Sequence, residues 1–393
     1  MLFQTLDDKS ECVGVYSSGE LHFKDIPEGL SKTWGYSNFL YGIPIEYAQL
    51  YVNGKSLGDV CPSHLLKNWE QITNRLKAFI RSNQIAKVNL SENCFFDLTP
   101  ERFLKEYCDM RNQICEWVFD KYARPENYTH LLKTMEVLTD IKYRKVNLDT
   151  KVLQGFWTDP KAKLLYKKFT GRDAYCDYNL FGSKTGRLSL SGDSLPLMNM
   201  KKEYRACIKP NNDFFIELDY NAAEARVVLA LLGLEQPEED IHEYNAKNLY
   251  HSTRDEAKKR FFAWLYNPNS DDPISSGQYD RDLILGRYYI YGSVENIFKR
   301  KIQCDDYHAL NYLIQSTCAD LVLERMVAIY ELLKGRKSYV AFTLHDSIIL
   351  DFASEDRELI KPIIEEFRNT KLGRFVTTVS AGKDLYNLNK INL

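Results

Sequence analysis

The chain has 393 residues, of which 44% are apolar and 27% charged, and its net charge is −2. That composition excludes a disordered or fibrous chain and fits a globular protein with a core large enough for two or three structural units. The near-neutral balance excludes indiscriminate nucleic-acid binding but leaves room for a locally basic cleft.

In chain order, residues 1–61 alternate short strand-like runs with turn signals. The runs are Cys12–Tyr16, Leu21–Lys24 and Tyr47–Val52, and the turns are Ser17-Ser18-Gly19 and Asn53-Gly54. From residue 62 to 150 the pattern becomes helical. Leu65, Trp69, Ile72, Leu76 and Ile80 recur at helical spacing behind Ser63 as the expected N-cap. A second helix follows Thr99 as cap, with Pro100 at its first position. Beyond residue 150 strands and helices mix, so the fold class is α+β.

Nine cysteines without a CxxC pair read as reduced thiols rather than a disulfide framework or a zinc site. Cys94, Cys108, Cys115, Cys207 and Cys318 lie in apolar-rich runs and read as core. The N-terminal MLFQTLDDKSECVG carries acids where a signal peptide has a basic region and an apolar stretch. No run reaches the ~18 apolar residues of a membrane-crossing helix. The expected location is the cytoplasm, without a membrane partner.

The chemistry concentrates in the second half. FFIELDYNAAEARVVLALLG reads as a buried strand, Phe214–Leu218, followed by a helix over Asn221–Leu232. Asp219 ends the strand, where a carboxylate and backbone carbonyls can hold a hard cation; alone, it reads better as a helix cap. VAFTLHDSIILDF reads as a tight hairpin with His345 and Asp346 at its tip. Two carboxylates from adjacent strands can share two Mg²⁺ ions about 3.5–4 Å apart, the arrangement of in-line nucleotidyl transfer. In RDEAKKRFFAWLY, Arg254, Lys258, Phe262 and Tyr266 recur every four residues and share one helical stripe. Its cations suit a triphosphate and its aromatics a base; a solvated first half and a buried second half would give the same pattern. SKTGRLSLSGDSLPLMN puts Gly186 and Arg187 in a polar loop or hairpin. Asn311 and Gln315 lie four apart on a further helix, able to bond base edges or to pair helices.

Taken in order, TGRLS, DYNAAEAR, DIH, RxxxKxxxFxxxY, NxxxQSTxAD and LHDS resemble the successive motifs of family A DNA polymerases, over residues 172–352. The resemblance implies a right-hand fold with an antiparallel-sheet palm, a helical thumb and helical fingers. Residues 1–61 would form a small cap or the remnant of a nuclease, 62–150 the thumb, 151–241 the palm, 242–308 shortened fingers, and 309–393 the rest of the palm. It implies two Mg²⁺ ions, with Mn²⁺ able to substitute, held by Asp219, the Tyr220 carbonyl and Asp346. His242, Arg254 and Lys258 would meet the β- and γ-phosphates, Lys258 acting as general acid. Phe262 would stack on the incoming nucleotide beside Tyr266, and Glu224 would exclude a 2′-hydroxyl. Arg187, Asn311 and Gln315 would feel the minor groove, and His345 the primer end. The partners implied are primer-template DNA and dNTPs in a compact, phage-type enzyme of the host cytoplasm. A separate exonuclease, a helicase or primase, or a processivity factor would act beside it, because residues 1–61 are too few for proofreading and Asp7-Asp8 is not an exonuclease pair.

Single-subunit RNA polymerases share the palm and the His-Asp-Ser hairpin but carry glycine at the Glu224 position, so Glu224 favours DNA synthesis. A catalytically inactive DNA-binding copy of the fold is disfavoured by the joint presence of Asp219, Asp346, Lys258 and Arg254. The sequence departs from the family at three positions. Ser347 stands where the family has glutamate, Tyr307 where it has arginine, and Asn267 where it has glycine. Asn267–Gln278 reads as an open loop.

Overall fold

The computed structural model describes residues 1–8, 11–23, 25–88, 90, 93–192 and 194–391. Lys24, at the end of an expected strand, and the side chains of Asp7, Asp8 and Cys12 lie outside the described residues. The chain separates into two compact units, 1–143 and 144–393.

In the first unit β1 (Phe3–Asp8), β2 (Glu11–Ser17) and β3 (Glu20–His22) form an antiparallel sheet. Helices α1 (Ser63–Ile85), α2 (Glu101–Lys121) and α3 (Tyr128–Tyr143) follow. Ile72, Phe103, Ile114 and Val118 close a core with Trp34, Val52 and Val60. Three local expectations fail here. Ser63 is the first helical residue, not a cap, and Pro62 precedes it without a capping side chain. Likewise Pro100 is the N-cap, and the Thr99 hydroxyl donates back to the Phe95 carbonyl at 2.8 Å. A proline at the N-cap offers no side-chain oxygen, so neither helix has its first-turn N–H groups capped by the preceding side chain. The run Tyr47–Val52 is a strand only at Glu46–Tyr47 and turns helical over Ala48–Tyr51. The Tyr128 hydroxyl accepts the Tyr47 N–H at 2.9 Å, and short buried apolar runs carry no period that tells strand from helix.

The second unit is built on β4 (Phe214–Tyr220), which is followed by α4 (Ala223–Leu232), α5 (Ile241–Asn245), α6 (Arg254–Tyr266) and α7 (Pro273–Gln278). Then come α8 (Asp306–Leu332), the hairpin β5 (Tyr339–Leu344) and β6 (Ser347–Phe352), α9 (Ile360–Arg368), β7 (Thr377–Gly382) and β8 (Asn389–Lys390). The sheet order is β5-β6-β4-β7-β8, antiparallel throughout. Alternation along β4 sends Leu218 and Tyr220 to one face and Glu217 and Asp219 to the other. On the first face the Tyr220 ring stacks on Phe367 at 4.0 Å and its hydroxyl donates to the Phe367 carbonyl. The helix expected from Asn221 begins at Ala223, after Ala222 turns the chain at φ +51°.

Helix α8 is apolar around most of its circumference and lies in the core. Its fully buried Asp320 accepts two bonds from Arg300, at 2.7 and 2.8 Å, and one from Asn296 at 2.8 Å. The Arg300 guanidinium in turn packs on Gly186, where a Cβ would lie 2.6 Å from Cζ and where φ is +75°. Glycine is therefore required at that position, and the contact pins the hairpin bearing Arg187 to α8.

The expected open loop Asn267–Gln278 is instead a turn followed by α7. Asp272 caps α7 and grips Arg260 at 2.6 and 2.8 Å, so a polar, proline-containing stretch becomes a helix start. Asn267 sits at φ −106° and needs no left-handed tolerance.

Removing one partner from a buried ion pair strands the other charge. Asp320→Ala is expected to destabilise the second unit by about 3–5 kcal/mol. Chemical denaturation of the variant against the parent chain checks this; a loss under about 1 kcal/mol would contradict it.

Candidate active site

The cross-strand register sets the chemistry. Asp219 is the partner of Ser347, so the adjoining turn His345-Asp346 stands at the same end of the sheet. His345 occupies the left-handed region at φ +54°, which lets a two-residue connection reverse the chain. The resulting cleft has a volume of about 450 Å³ and is lined by Arg187, Asp219, Tyr220, Glu224, His242, Arg254, Lys258, Phe262, His345 and Asp346. Residues far apart in sequence thus meet in one place.

Asp219 is the electrostatic outlier. Burial, then the neighbouring Asp346 and Glu217, push its carboxyl up to about 7. Glu217, two residues earlier on the same face, is raised by burial as well. Crowded hard oxygens without a matching cation suit a divalent ion such as Mg²⁺. Among the described residues, however, no three His, Cys, Asp or Glu side chains already stand as a metal-holding group.

Helix α6 begins with a capping box, Thr253 and Glu256 bonding each other's backbone N–H. The box fixes the helix start, and Arg254 and Lys258 present themselves to the cleft. Arg254 is held by Asp240, at 2.7 and 3.1 Å. Burial works against the Asp240 carboxylate. The bonds from Arg254, Asn221 and the Glu243 N–H nevertheless hold it well below the usual range. Sequence reasoning quoted Asp240 within DIH but gave it no role.

It missed Arg226 altogether. This guanidinium is fully buried and donates to the carbonyls of Asn221, Pro237 and Glu239 at 2.8–2.9 Å. Arg226 thereby pins the loop that carries Asp240 to the start of α4. Its only sequence signal was an arginine on the inward face of an apolar helix. His242 is buried too, and its basicity is lowered to about 4, first by burial and then by Lys258 and Arg254, with Asp240 opposing. It is neutral near pH 7, and its Nδ1 is buried with no hydrogen-bond partner among the described residues.

Glu224 ties the site together. One of its oxygens accepts from Arg187 at 2.6 Å and the other accepts the Tyr266 hydroxyl. Tyr266 stacks on Phe262 at 5.9 Å, and burial, then Glu224, raise its hydroxyl pKa strongly. Asn311 and Gln315 lie on α8 outside the cleft lining, which that helix reaches at Cys318 and Ala319.

No protein-family model matches the chain, and no curated protein matches it. Among solved structures it is similar to the POL domain of Pol1 from M. smegmatis in complex with DNA primer-template and dNTP. The identity is 12% and the TM-score 0.56, over 73% of this chain and 76% of that one. This likeness shows a polymerase-like fold. No described helix is long and apolar enough to cross a membrane.

The raised Asp219 has a consequence for stability. The unfolded chain releases this proton near pH 4, the fold only near 7, so the metal-free protein loses stability as pH rises between those values. Asp219→Asn removes that loss. With a chelator present, the variant is expected to melt above the parent chain at pH 8, with the gap closing towards pH 4. A variant melting no higher at pH 8 would refute the assignment.

Proposed function

We propose that this chain is a template-directed, DNA-dependent DNA polymerase of family A type that extends a primer 3′-hydroxyl. The observation that carries the reading is the convergence, in one cleft, of Asp219 and Asp346 with the Arg254–Lys258–Phe262 stripe of α6. Carboxylates at one wall and cations with an aromatic face at the other match the charge and shape of a nucleoside triphosphate approaching a hydroxyl. In this reading the sheet unit is the palm, α6 belongs to the fingers and α1–α3 to the thumb. Residues 1–61 form a small cap.

Asp219, the Tyr220 carbonyl and Asp346 would hold two Mg²⁺ ions, or Mn²⁺ in their place. When bound, the ions supply hydroxyl activation and charge neutralisation. The remaining roles belong to side chains. Arg254, oriented by Asp240, grips the outer phosphates, and the neutral His242 ring lines the cleft beside them. As the primer hydroxyl loses its proton to solvent and its oxygen bonds the α-phosphorus, the bond to pyrophosphate breaks and the Lys258 ammonium donates a proton to the leaving group. Phe262 stacks on the incoming base beside Tyr266, and His345 positions the primer end. Asn311 and Gln315 meet the minor-groove edge, where contacts test pairing geometry rather than sequence. Arg187 would exchange its Glu224 partner for that edge when DNA arrives.

Glu224, still braced by Tyr266 once Arg187 has moved, would exclude a 2′-hydroxyl by contact with the sugar, which favours DNA over RNA synthesis. Primer extension with deoxy- and ribonucleotides tests the assignment. The parent chain should use deoxynucleotides, and Glu224→Ala should relax sugar discrimination by about a hundredfold. A parent chain that incorporates ribonucleotides as readily as deoxynucleotides would contradict the reading, and so would a variant with unaltered discrimination.

A further inference from the structure

Glu217 has no role in the account so far, and its placement is costly. It sits mid-strand on β4, the central strand of the sheet, where an apolar side chain would avoid the cost of burying charge. Among the described residues its side chain makes no ion pair. Its one hydrogen bond comes from the Ser347 hydroxyl, at 3.4 Å. Lys202 and Arg205 offer it only longer-range attraction, and the Arg205 Nε is itself buried without a partner among the described residues. A carboxylate this poorly satisfied calls for a ligand.

The geometry says where that ligand lies. Glu217 and Asp219 are two apart on β4 and project to the same face. Ser347 faces Asp219 directly across the strand pair and stands diagonal to Glu217. Ser347 directly follows Asp346 and is short, so the space beside the two aspartates is left to Glu217. This is the position at which Ser347 departs from the family pattern by lacking an acid.

We propose that Glu217 supplies a third carboxylate to the cation site, from the central strand rather than from the hairpin. The inference rests on the metal-binding reading of Asp219 and Asp346. Because the three acids are not gathered without a cation, Glu217 swings from Ser347 towards them when the ion arrives, and the Ser347 hydroxyl keeps the Leu344 carbonyl, which it already reaches at 3.0 Å. Affinity for a hard cation rises with the number of carboxylates that can reach it.

The test is Mn²⁺ binding to the full chain without DNA or nucleotide, read as loss of the free-ion signal in electron paramagnetic resonance. Glu217→Gln should weaken Mn²⁺ binding by about tenfold, and adding Ser347→Glu to that variant should restore it. Unchanged affinity in Glu217→Gln, alongside weakened binding in Asp219→Asn, overturns the role of Glu217 alone. A loss that Ser347→Glu does not restore also overturns it, since Glu217 would then act only as a counter-charge to Lys202 and Arg205. Unchanged affinity in both Asp219→Asn and Asp346→Asn overturns the metal-binding reading underneath. If Glu217→Gln fails to fold, the double variant decides by itself, because it keeps the acid count and moves its position.

Discussion

The structure of the second unit depends on the pairing of β4 with β6 on one side and β7 on the other. That register brings Asp219 beside the His345-Asp346 turn and packs like charges where the sheet ends. Carboxylates in such a place oppose folding, as the upward shift of Asp219 makes plain. The opposite face of the same strand compensates, with Leu218 buried and Tyr220 stacked and hydrogen-bonded on α9. One strand thus carries the unfavourable electrostatics on one face and the packing that holds it in place on the other, a division common at functional sites.

The wall of the cleft that carries Arg254 and Lys258 is organised by a different device. Arg226 ties α4 to the loop before α5, that loop positions Asp240, and Asp240 aims Arg254 from the first turn of α6. The Arg226 bonds are part-buried and the Arg254–Asp240 pair is more exposed, but two bonds to one carboxylate oxygen hold the arginine in place in advance. Glu224 does the same for the opposite end of the stripe through Tyr266 and Arg187. Both ends of the stripe are therefore fixed to the same helix, α4, which starts three residues after the end of β4.

Much of this site was legible in the sequence because its parts follow strong local rules. Phe214–Leu218 is a run of strand formers, the interval of four along 254–266 marks a helical stripe, and His345-Asp346 interrupts two apolar runs at hairpin spacing. What escaped lies in long-range partnerships. Nothing local says that Arg226 reaches three carbonyls across a loop, or that Asp320 in an apolar helix answers Arg300. Glu217 was hidden for a related reason: in a strand read as buried, one acid looks like an exception until its face is known. The errors at Tyr47–Val52 and Asn267–Gln278 are of another kind. The first is an apolar run too short to show a period; in the second, Asp272-Pro273 is a helix-start signal masked by turn-forming neighbours.

The account stands on Asp219 and Asp346 acting together on a primer end, and one experiment reaches that directly. Incorporation of a single deoxynucleotide into a labelled primer-template should be followed under single-turnover conditions with Mg²⁺, alongside equilibrium binding of the same DNA, for the parent chain and for Asp346→Ala. The account predicts incorporation by the parent chain and a loss of at least about a thousandfold in the variant, with DNA affinity little changed. Tight DNA binding by a parent chain that incorporates no nucleotide would contradict it and leave a polymerase-like fold that only binds.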